Sequence, residues 1–309
     1  MNNNPTIALL GQPNSGKSTL FNALTGLRQH VGNWPGKTVE KKEGYFSYNG
    51  KTYMVADLPG SYSMSANSDE EVITRDFISS GKADAVCILA DSSQLERSLF
   101  MLSDFAGLNV PCFVILNMSD VAESQGTHIR PDIIETKIGV PVIMFCAADN
   151  KSYRSFYQTL DKVLSDRPML NVTALESEYK KIDGYTQIKS MLETVQISGC
   201  STLWLAAKII ENDKVITAKI KQTISKQQFD EIQTVIRQTK GAVAVGERKF
   251  AWIDYLLSDA VTKTQSQSKL SRLDKIFTHK IWGKPAVIIT VLLGLISSFI
   301  PALPLMAAG

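Results

Sequence analysis

The sequence predicts an α/β fold with a mainly parallel sheet covered by helices on both faces, followed by an all-α region and a C-terminal apolar helix. Three observations predict it. Short apolar runs alternate with amphipathic segments up to about residue 168. Beyond Arg167-Pro168 the strand signals stop and helical spacing takes over. From Pro285 to Gly309 no residue carries a charge.

The strand candidates are Thr6–Leu10, Gly44–Tyr48, Tyr53–Asp57, Ala85–Ala90, Cys112–Asn117 and Val140–Cys146. Asn49-Gly50, between the second and third, is a two-residue hairpin signal. Helical segments near Asp69–Ser80, Gln94–Leu108, Pro131–Ile138 and Tyr153–Leu164 connect the others. Such alternation places a ligand at the carboxyl ends of the strands. Further helices are expected near Tyr185–Gln196, Ser201–Glu211, Lys214–Ile224, Phe229–Lys240 and Glu247–Thr262, with no strand between Asn171 and Lys263. In the last of them Phe250, Ile253, Leu257, Ala260 and Val261 recur at helical spacing and predict a core face.

A length of 309 residues gives room for about two domains. The expected boundaries are 1–168 for the α/β domain, 169–264 for the helical domain, 265–284 for a basic linker and 285–309 for a membrane segment. A net charge of +3 is too small to argue for nucleic acid. Cys87, Cys112, Cys146 and Cys200 lack metal-ligand spacing and read as small hydrophobes in a reducing compartment. Met1 to Asn4 is polar and short, which predicts no signal peptide. About 20 apolar residues cross a bilayer, so the C-terminal run is expected to enter one. Lys263, Lys269, Arg272, Lys275, Lys280 and Lys284 precede it and place residues 1–284 on the cytoplasmic side. Pro301 and Pro304 argue against a single straight helix there.

The chemistry is carried by four motifs. Gly11-Gln12-Pro13-Asn14-Ser15-Gly16-Lys17-Ser18, with Thr19 after it, lies between the first strand and a helix, the context of a phosphate-binding loop. Backbone N–H groups there wrap a phosphate at a helix N-terminus. Lys17 adds positive charge at the β- and γ-phosphates, and the Ser18 hydroxyl ligates Mg²⁺. Asp57-Leu58-Pro59-Gly60 ends a strand, so Asp57 can hold Mg²⁺ through water and the Gly60 N–H can meet the γ-phosphate. Between them, Trp34, Gly36, Lys37 and Thr38 belong to a loop whose Thr38 hydroxyl can complete the Mg²⁺ shell. Asn117-Met118-Ser119-Asp120 follows a buried strand, and Asp120 would accept two hydrogen bonds from the guanine edge, which adenine cannot supply. Singly, Asp57 and Asp120 read as turn or capping residues. Four motifs at consistent spacing imply GTP and GDP binding.

Together these residues give the sequence a resemblance to the ferrous iron transport protein B family, over nearly the whole chain. It rests on Gly11–Ser18, Val31-Gly32-Asn33-Trp34-Pro35-Gly36, Thr38–Gly44, Asp57–Ser63, Glu70-Glu71-Val72 with Arg75-Asp76, Leu95-Glu96-Arg97, Asn117–Asp120, Glu247–Ile253 and Leu273–His279. The resemblance implies a bacterial GTP-hydrolysing domain and a helical domain that strengthens GDP binding. A polytopic membrane domain carrying the iron route would follow. It implies the inner membrane as location, and as partners the lipid bilayer, that permease domain, small accessory proteins and a second copy of the chain.

Asn14 in the phosphate loop either holds K⁺ beside the β- and γ-phosphates or stabilises the loop's turn, and the resemblance suggests that carbonyls of the loop containing Gly32 and Trp34 complete a K⁺ shell. The catalytic set is then Lys17, Asn14, Thr38 and Gly60. Many small G proteins place a Gln after the Asp-x-x-Gly motif; Ser61 stands here, which predicts slow intrinsic hydrolysis. Where the family carries Ser-Ala against the guanine, this chain reads Cys146-Ala147-Ala148, which predicts weaker nucleotide affinity. Trp34 reads either as a core aromatic or, with Gly32, Pro35 and Gly36 around it, as part of an exposed, mobile loop that packs differently with GTP and GDP, the second being the expectation. Glu70, Glu71 and Arg75 are either solvated charges or a relay to the helical domain. A membrane-tethered GTPase without transport and a ribosome- or tRNA-maturation GTPase are the alternative readings.

Overall fold

The structure, a computed structural model, describes residues 4–26, 28–65, 67–147, 149–264, 277, 279 and 283–299. β1 (Thr6–Gly11) is an unbroken apolar run buried along its whole length, as a strand covered on both faces must be. After it come α1 (Lys17–Thr25), β2 (Gln29–Asn33), β3 (Glu40–Tyr48) and β4 (Lys51–Asp57). Asn49 and Gly50 join β3 to β4 with φ of 48° and 72°, both positive as a tight hairpin turn of matching twist demands. The domain continues through α2 (Asp69–Ser79), β5 (Ala85–Asp91), α3 (Leu95–Phe105), β6 (Cys112–Asn117), α4 (Ser119–Ser124), β7 (Thr127–Ile129), α5 (Pro131–Ile138), β8 (Val142–Met144) and α6 (Asn150–Asp166).

Seven strands form one sheet in the order β2-β3-β4-β1-β5-β6-β8. β1 pairs in parallel with β4 and β5, β5 with β6, and β6 with β8. β2 and β3 are antiparallel. Chain order reverses at β1, and in open α/β sheets ligands bind beyond the carboxyl ends of the strands at such a point. Alternate residues of each strand feed two cores. Ile7, Leu9, Val55, Ala85, Cys87 and Phe113 pack with Leu20 and Phe21 of α1 and Phe156 and Leu160 of α6. Ala8, Leu10, Ala56, Val86 and Ile88 face the other way, toward α2, α3 and the helices beyond residue 170.

Those helices are α7 (Thr173–Tyr179), α8 (Tyr185–Met191), α9 (Thr202–Ile210), α10 (Lys214–Thr223), α11 (Lys226–Ile236) and α12 (Ala242–Leu257). Their cores are continuous with the second face of the sheet, through Leu203, Trp204, Trp252 and Ile253. Two expectations are corrected here. A strand does occur before residue 264: β9 (Val261–Lys263) pairs antiparallel with β7. The core face of α12 is Val245, Lys249, Trp252, Ile253 and Leu256, whereas Phe250 is 46% exposed. The helix starts five residues earlier than its expected start at Glu247, and it ends at Leu257, so Ala260 and Val261 lie past it.

Residues 265–309 form a separate unit. Its described helix, α13 (Gly283–Phe299), has 17 residues. At ~1.5 Å per residue it is about 26 Å long, short of a ~30 Å hydrocarbon core. Among the described residues no helix is long and apolar enough to cross a membrane. The expected span over 285–309 thus has α13 as its described part, while Pro301, Pro304 and the rest of 300–309 lie outside the described residues. Lys269, Arg272, Lys275 and Lys280 also lie outside them.

Candidate functional site

The four motifs converge at one end of the sheet. Gly11–Ser18 follows β1, Asp57 ends β4, and Asn117 ends β6. The phosphate loop turns through two left-handed residues, Asn14 at φ 65° and Gly16 at φ 90°. A Cβ on Gly16 would sit 2.1 Å from Asn117 Nδ2, so only glycine fits. Asn117 donates from Nδ2 to the Ser15 carbonyl at 2.8 Å, which ties the base-reading motif to the phosphate loop.

The N-terminus of α1 differs from that of α2. Ser68 caps α2, and its first turn holds Asp69, Glu70 and Glu71. α1 begins after Gly16 with no side-chain cap and no acidic residue in its first turn. Its N–H dipoles are left for an external anion. Lys17 and Asp57 are both buried, with Nζ and Oδ1 3.1 Å apart. The Ser18 hydroxyl donates to Asp57 Oδ2 at 3.4 Å. Ser18 and Asp57 therefore present hard oxygen donors side by side, the set Mg²⁺ prefers. Gly60 lies against the phosphate loop, because a Cβ there would meet Pro13 N at 3.2 Å. Gln12 donates from Nε2 to the Arg97 carbonyl at 2.7 Å, and the Arg97 guanidinium stacks over Tyr62 at 4.7 Å.

The expected mobile loop is more ordered than its sequence suggests. Gly32 and Asn33 belong to β2, and Lys37 N–H bonds the Trp34 carbonyl at 3.0 Å across a turn with Gly36 at φ 70°. Pro35 then Gly36 is the pair a type II turn selects. Trp34 is buried, 9% exposed, and meets Phe77 of α2 edge-on at 5.5 Å. Lys37 pairs with Asp69 at 2.7 Å. Thr38 is exposed, while the Asp57 carboxylate accepts from the Ser18 hydroxyl and from Lys17.

At the other rim, Met118 takes φ 57° and opens α4, with Asp120 exposed in its first turn. The Ser119 hydroxyl donates to the Phe145 carbonyl at 3.2 Å, holding this rim beside Cys146 and Ala147. Cys146 N–H is fixed by the Ser152 hydroxyl at 3.1 Å, and the Ala147 carbonyl by the Tyr153 hydroxyl at 3.2 Å. Ala148 lies outside the described residues.

The family model described as ferrous iron transport protein B matches residues 5–160. The chain belongs to that family. The Fe(2+) transporter FeoB of Escherichia coli (strain K12) is 32% identical over 289 residues, 91% of this chain and 36% of the relative. FeoB of Salmonella choleraesuis (strain SC-B67) is 43% identical over 161 residues, 51% of this chain and 21% of the relative. The chain thus spans about a third of the FeoB relatives it matches over most of its own length. Among solved structures, the GMPPNP form of the T. maritima FeoB cytosolic domain superposes with TM-score 0.70 at 27% identity, covering 84% of this chain and 100% of that one. A GDP-bound mutant of the S. thermophilus FeoB G-domain gives TM-score 0.72 at 32% identity, with coverage of 84% and 100%.

Sequence reasoning left two groups of this chain unassigned. Glu71 is buried, accepting from the Ser63 hydroxyl at 2.7 Å and Asn67 N–H at 3.1 Å. Arg75, 1% exposed, donates from NH1 to both carboxylate oxygens of Asp213 at 3.4 Å, joining α2 to the cap of α10. Asp104, Lys208 and Lys249 form a buried charge cluster with Glu211. Burial pushes the Asp104 carboxyl up, but the Lys208 and Lys249 ammoniums outweigh it and hold it well below the usual carboxylate range.

Proposed function

We propose that this chain binds guanine nucleotide and hydrolyses GTP as the nucleotide-responsive part of a bacterial ferrous iron importer. One observation carries the reading: at the uncapped N-terminus of α1, Lys17 pairs with Asp57 from the end of β4, and Asn117 from the end of β6 holds the phosphate loop through the Ser15 carbonyl. Phosphoryl transfer needs positioning and charge neutralisation more than covalent chemistry. The α1 N–H groups and Lys17 bind the phosphates, Gly60 N–H meets the γ-phosphate, and Asp120 reads the guanine edge. Cys146, Ala147 and Ala148 border the base. Ser18, Thr38 and Asp57 would hold Mg²⁺, which when bound neutralises charge between the β- and γ-phosphates. Thr38 has to move inward to join them, and the β2–β3 turn is the element that carries it.

Asn14 stands at the left-handed bend of the loop, where its carbonyl oxygen can hold K⁺, a positive charge of the kind an arginine finger supplies elsewhere. With Ser61 in place of the water-positioning Gln, intrinsic hydrolysis is slow. The helical region, residues 169–264, acts on GDP retention, and its continuous core with the sheet supports that role. Residues 265–284 link to a membrane part that begins in 285–309 and continues in a permease domain at the bacterial inner membrane. Accessory proteins and a second copy of the chain are further partners there.

The test is GTP turnover by the purified chain in KCl and in NaCl. GTP but not ATP is hydrolysed, K⁺ accelerates the reaction over Na⁺, and Asn14→Ala abolishes the difference. Equal rates in the two salts would overturn the potassium role, and equal use of ATP would overturn the guanine site.

A further inference from the structure

Asp104 on α3 is 1% exposed, and both its oxygens are occupied. Oδ1 accepts from Lys208 Nζ and from Lys249 Nζ, each at 2.7 Å. Oδ2 accepts from the backbone N–H of Met64 at 3.0 Å. Lys208 also donates to the Ser65 hydroxyl at 3.1 Å and to Glu211 at 2.8 Å, and Lys249 closes the ring onto Glu211. Asp104 of α3 and Lys208 of α9 thus grip two consecutive residues of the loop that follows Gly60, and Lys249 of α12 braces Asp104 from behind.

Burying the three charges of Asp104, Lys208 and Lys249 is a poor way to gain stability, since apolar residues of the same volume serve as well or better. Such a cluster is better suited to fixing a position. The loop it fixes has room to take another: a cavity of about 310 Å³ lies beside it, bounded by Ser63, Ser65, Asn67, Asp104 and Glu211. Residues span at most ~3.6 Å each, so a fixed Met64 restricts where the Gly60 N–H can be.

We infer that Asp104 is a positioning residue for GTP hydrolysis, latching the loop after Gly60 to the helical region so that the Gly60 N–H meets the γ-phosphate. This rests on the GTPase reading above. GDP has no γ-phosphate, so the latch acts on turnover and leaves GDP affinity alone.

Asp104→Asn is the informative change. An amide can offer its oxygen to the lysines only by turning its NH₂ toward the Met64 N–H, a donor facing a donor. Turnover of GTP and the Kd for N-methylanthraniloyl-GDP are measured on the same preparations of the full chain. The loss of one hydrogen bond predicts kcat lower by about fivefold, with KM for GTP and the GDP Kd unchanged within about twofold. Ser65→Ala, which deletes only the Lys208 link at the cavity, lowers kcat in the same direction by about twofold, and it decides the matter if Asp104→Asn does not fold. Unchanged kcat in the folded variants overturns the latch, as does a parallel loss of kcat and GDP affinity. Wild-type protein that neither binds the fluorescent GDP nor turns over GTP overturns the nucleotide reading itself, a distinct result.

Discussion

Lys17 and Asp57 neutralise each other across the space the phosphates are proposed to take, Nζ to Oδ1 at 3.1 Å. Both are under a tenth exposed, so the pair is shielded from solvent and opening it carries a cost. A nucleotide phosphate therefore competes with Asp57 for Lys17. Lys17→Met is expected to weaken GDP and GTP binding at least about tenfold, the value of one hydrogen bond to a charged group. Asp57→Ala works in the opposite sense when metal is chelated, because Lys17 is then released to the phosphate. Calorimetric titration in EDTA is expected to show tighter GDP binding by Asp57→Ala than by wild type, and the advantage disappears in Mg²⁺. Weaker binding by Asp57→Ala in EDTA would sink the competition argument.

Trp34 and Phe77 join the turn between β2 and β3 to α2, their rings 5.5 Å apart and edge-on. The Trp34 Nε1 is buried without a hydrogen-bond partner among the described residues, which makes this packing an expensive state to keep. Drawing Thr38 toward the phosphates would pull Trp34 away from Phe77 and give the indole water as a partner. A non-hydrolysable GTP analogue with Mg²⁺ is thus expected to red-shift tryptophan emission, and GDP is not. Trp34→Phe removes the shift while Trp204 and Trp252, in the core, remain as internal controls. A shift of the same size in Trp34→Phe would place the change elsewhere.

The parts of this protein that were legible in its sequence are those whose signal is local. β1, β5 and β6 are continuous apolar runs because both faces are covered. The phosphate loop and the Asn117–Asp120 motif have fixed spacing, set by backbone geometry at a strand end. What stayed hidden depends on distant partners. β3 begins with Glu40-Lys41-Lys42-Glu43, which has no strand pattern and is held by pairing with β2 and β4. β7 and β9 are three residues each and exist only through each other. Lys208 did carry a signal: it is the lone charge in the run Leu203–Ile210, and a buried lysine demands a carboxylate. Which carboxylate it meets, 104 positions away in sequence, no periodicity reveals.

The same cluster fixes a pH dependence. Burial raises the Asp104 carboxyl, the two lysines more than reverse this, and its folded pKa lies below the unfolded value of about 3.9. A depressed carboxylate contributes stability that is present above the unfolded pKa and lost as pH falls through the folded one. Burial depresses Lys208 and Lys249, but Asp104 and Glu211 raise both above the ordinary lysine value, so their contribution is full below about pH 10.4 and fades only above it. Removing one partner of a buried pair costs about 3–5 kcal/mol. The difference in urea-unfolding free energy between wild type and Asp104→Ala is therefore expected to be constant from about pH 5 to 9 and to shrink below about pH 4. A difference that shrinks already between pH 7 and 5 would mean that Asp104 is not held by the two lysines in solution.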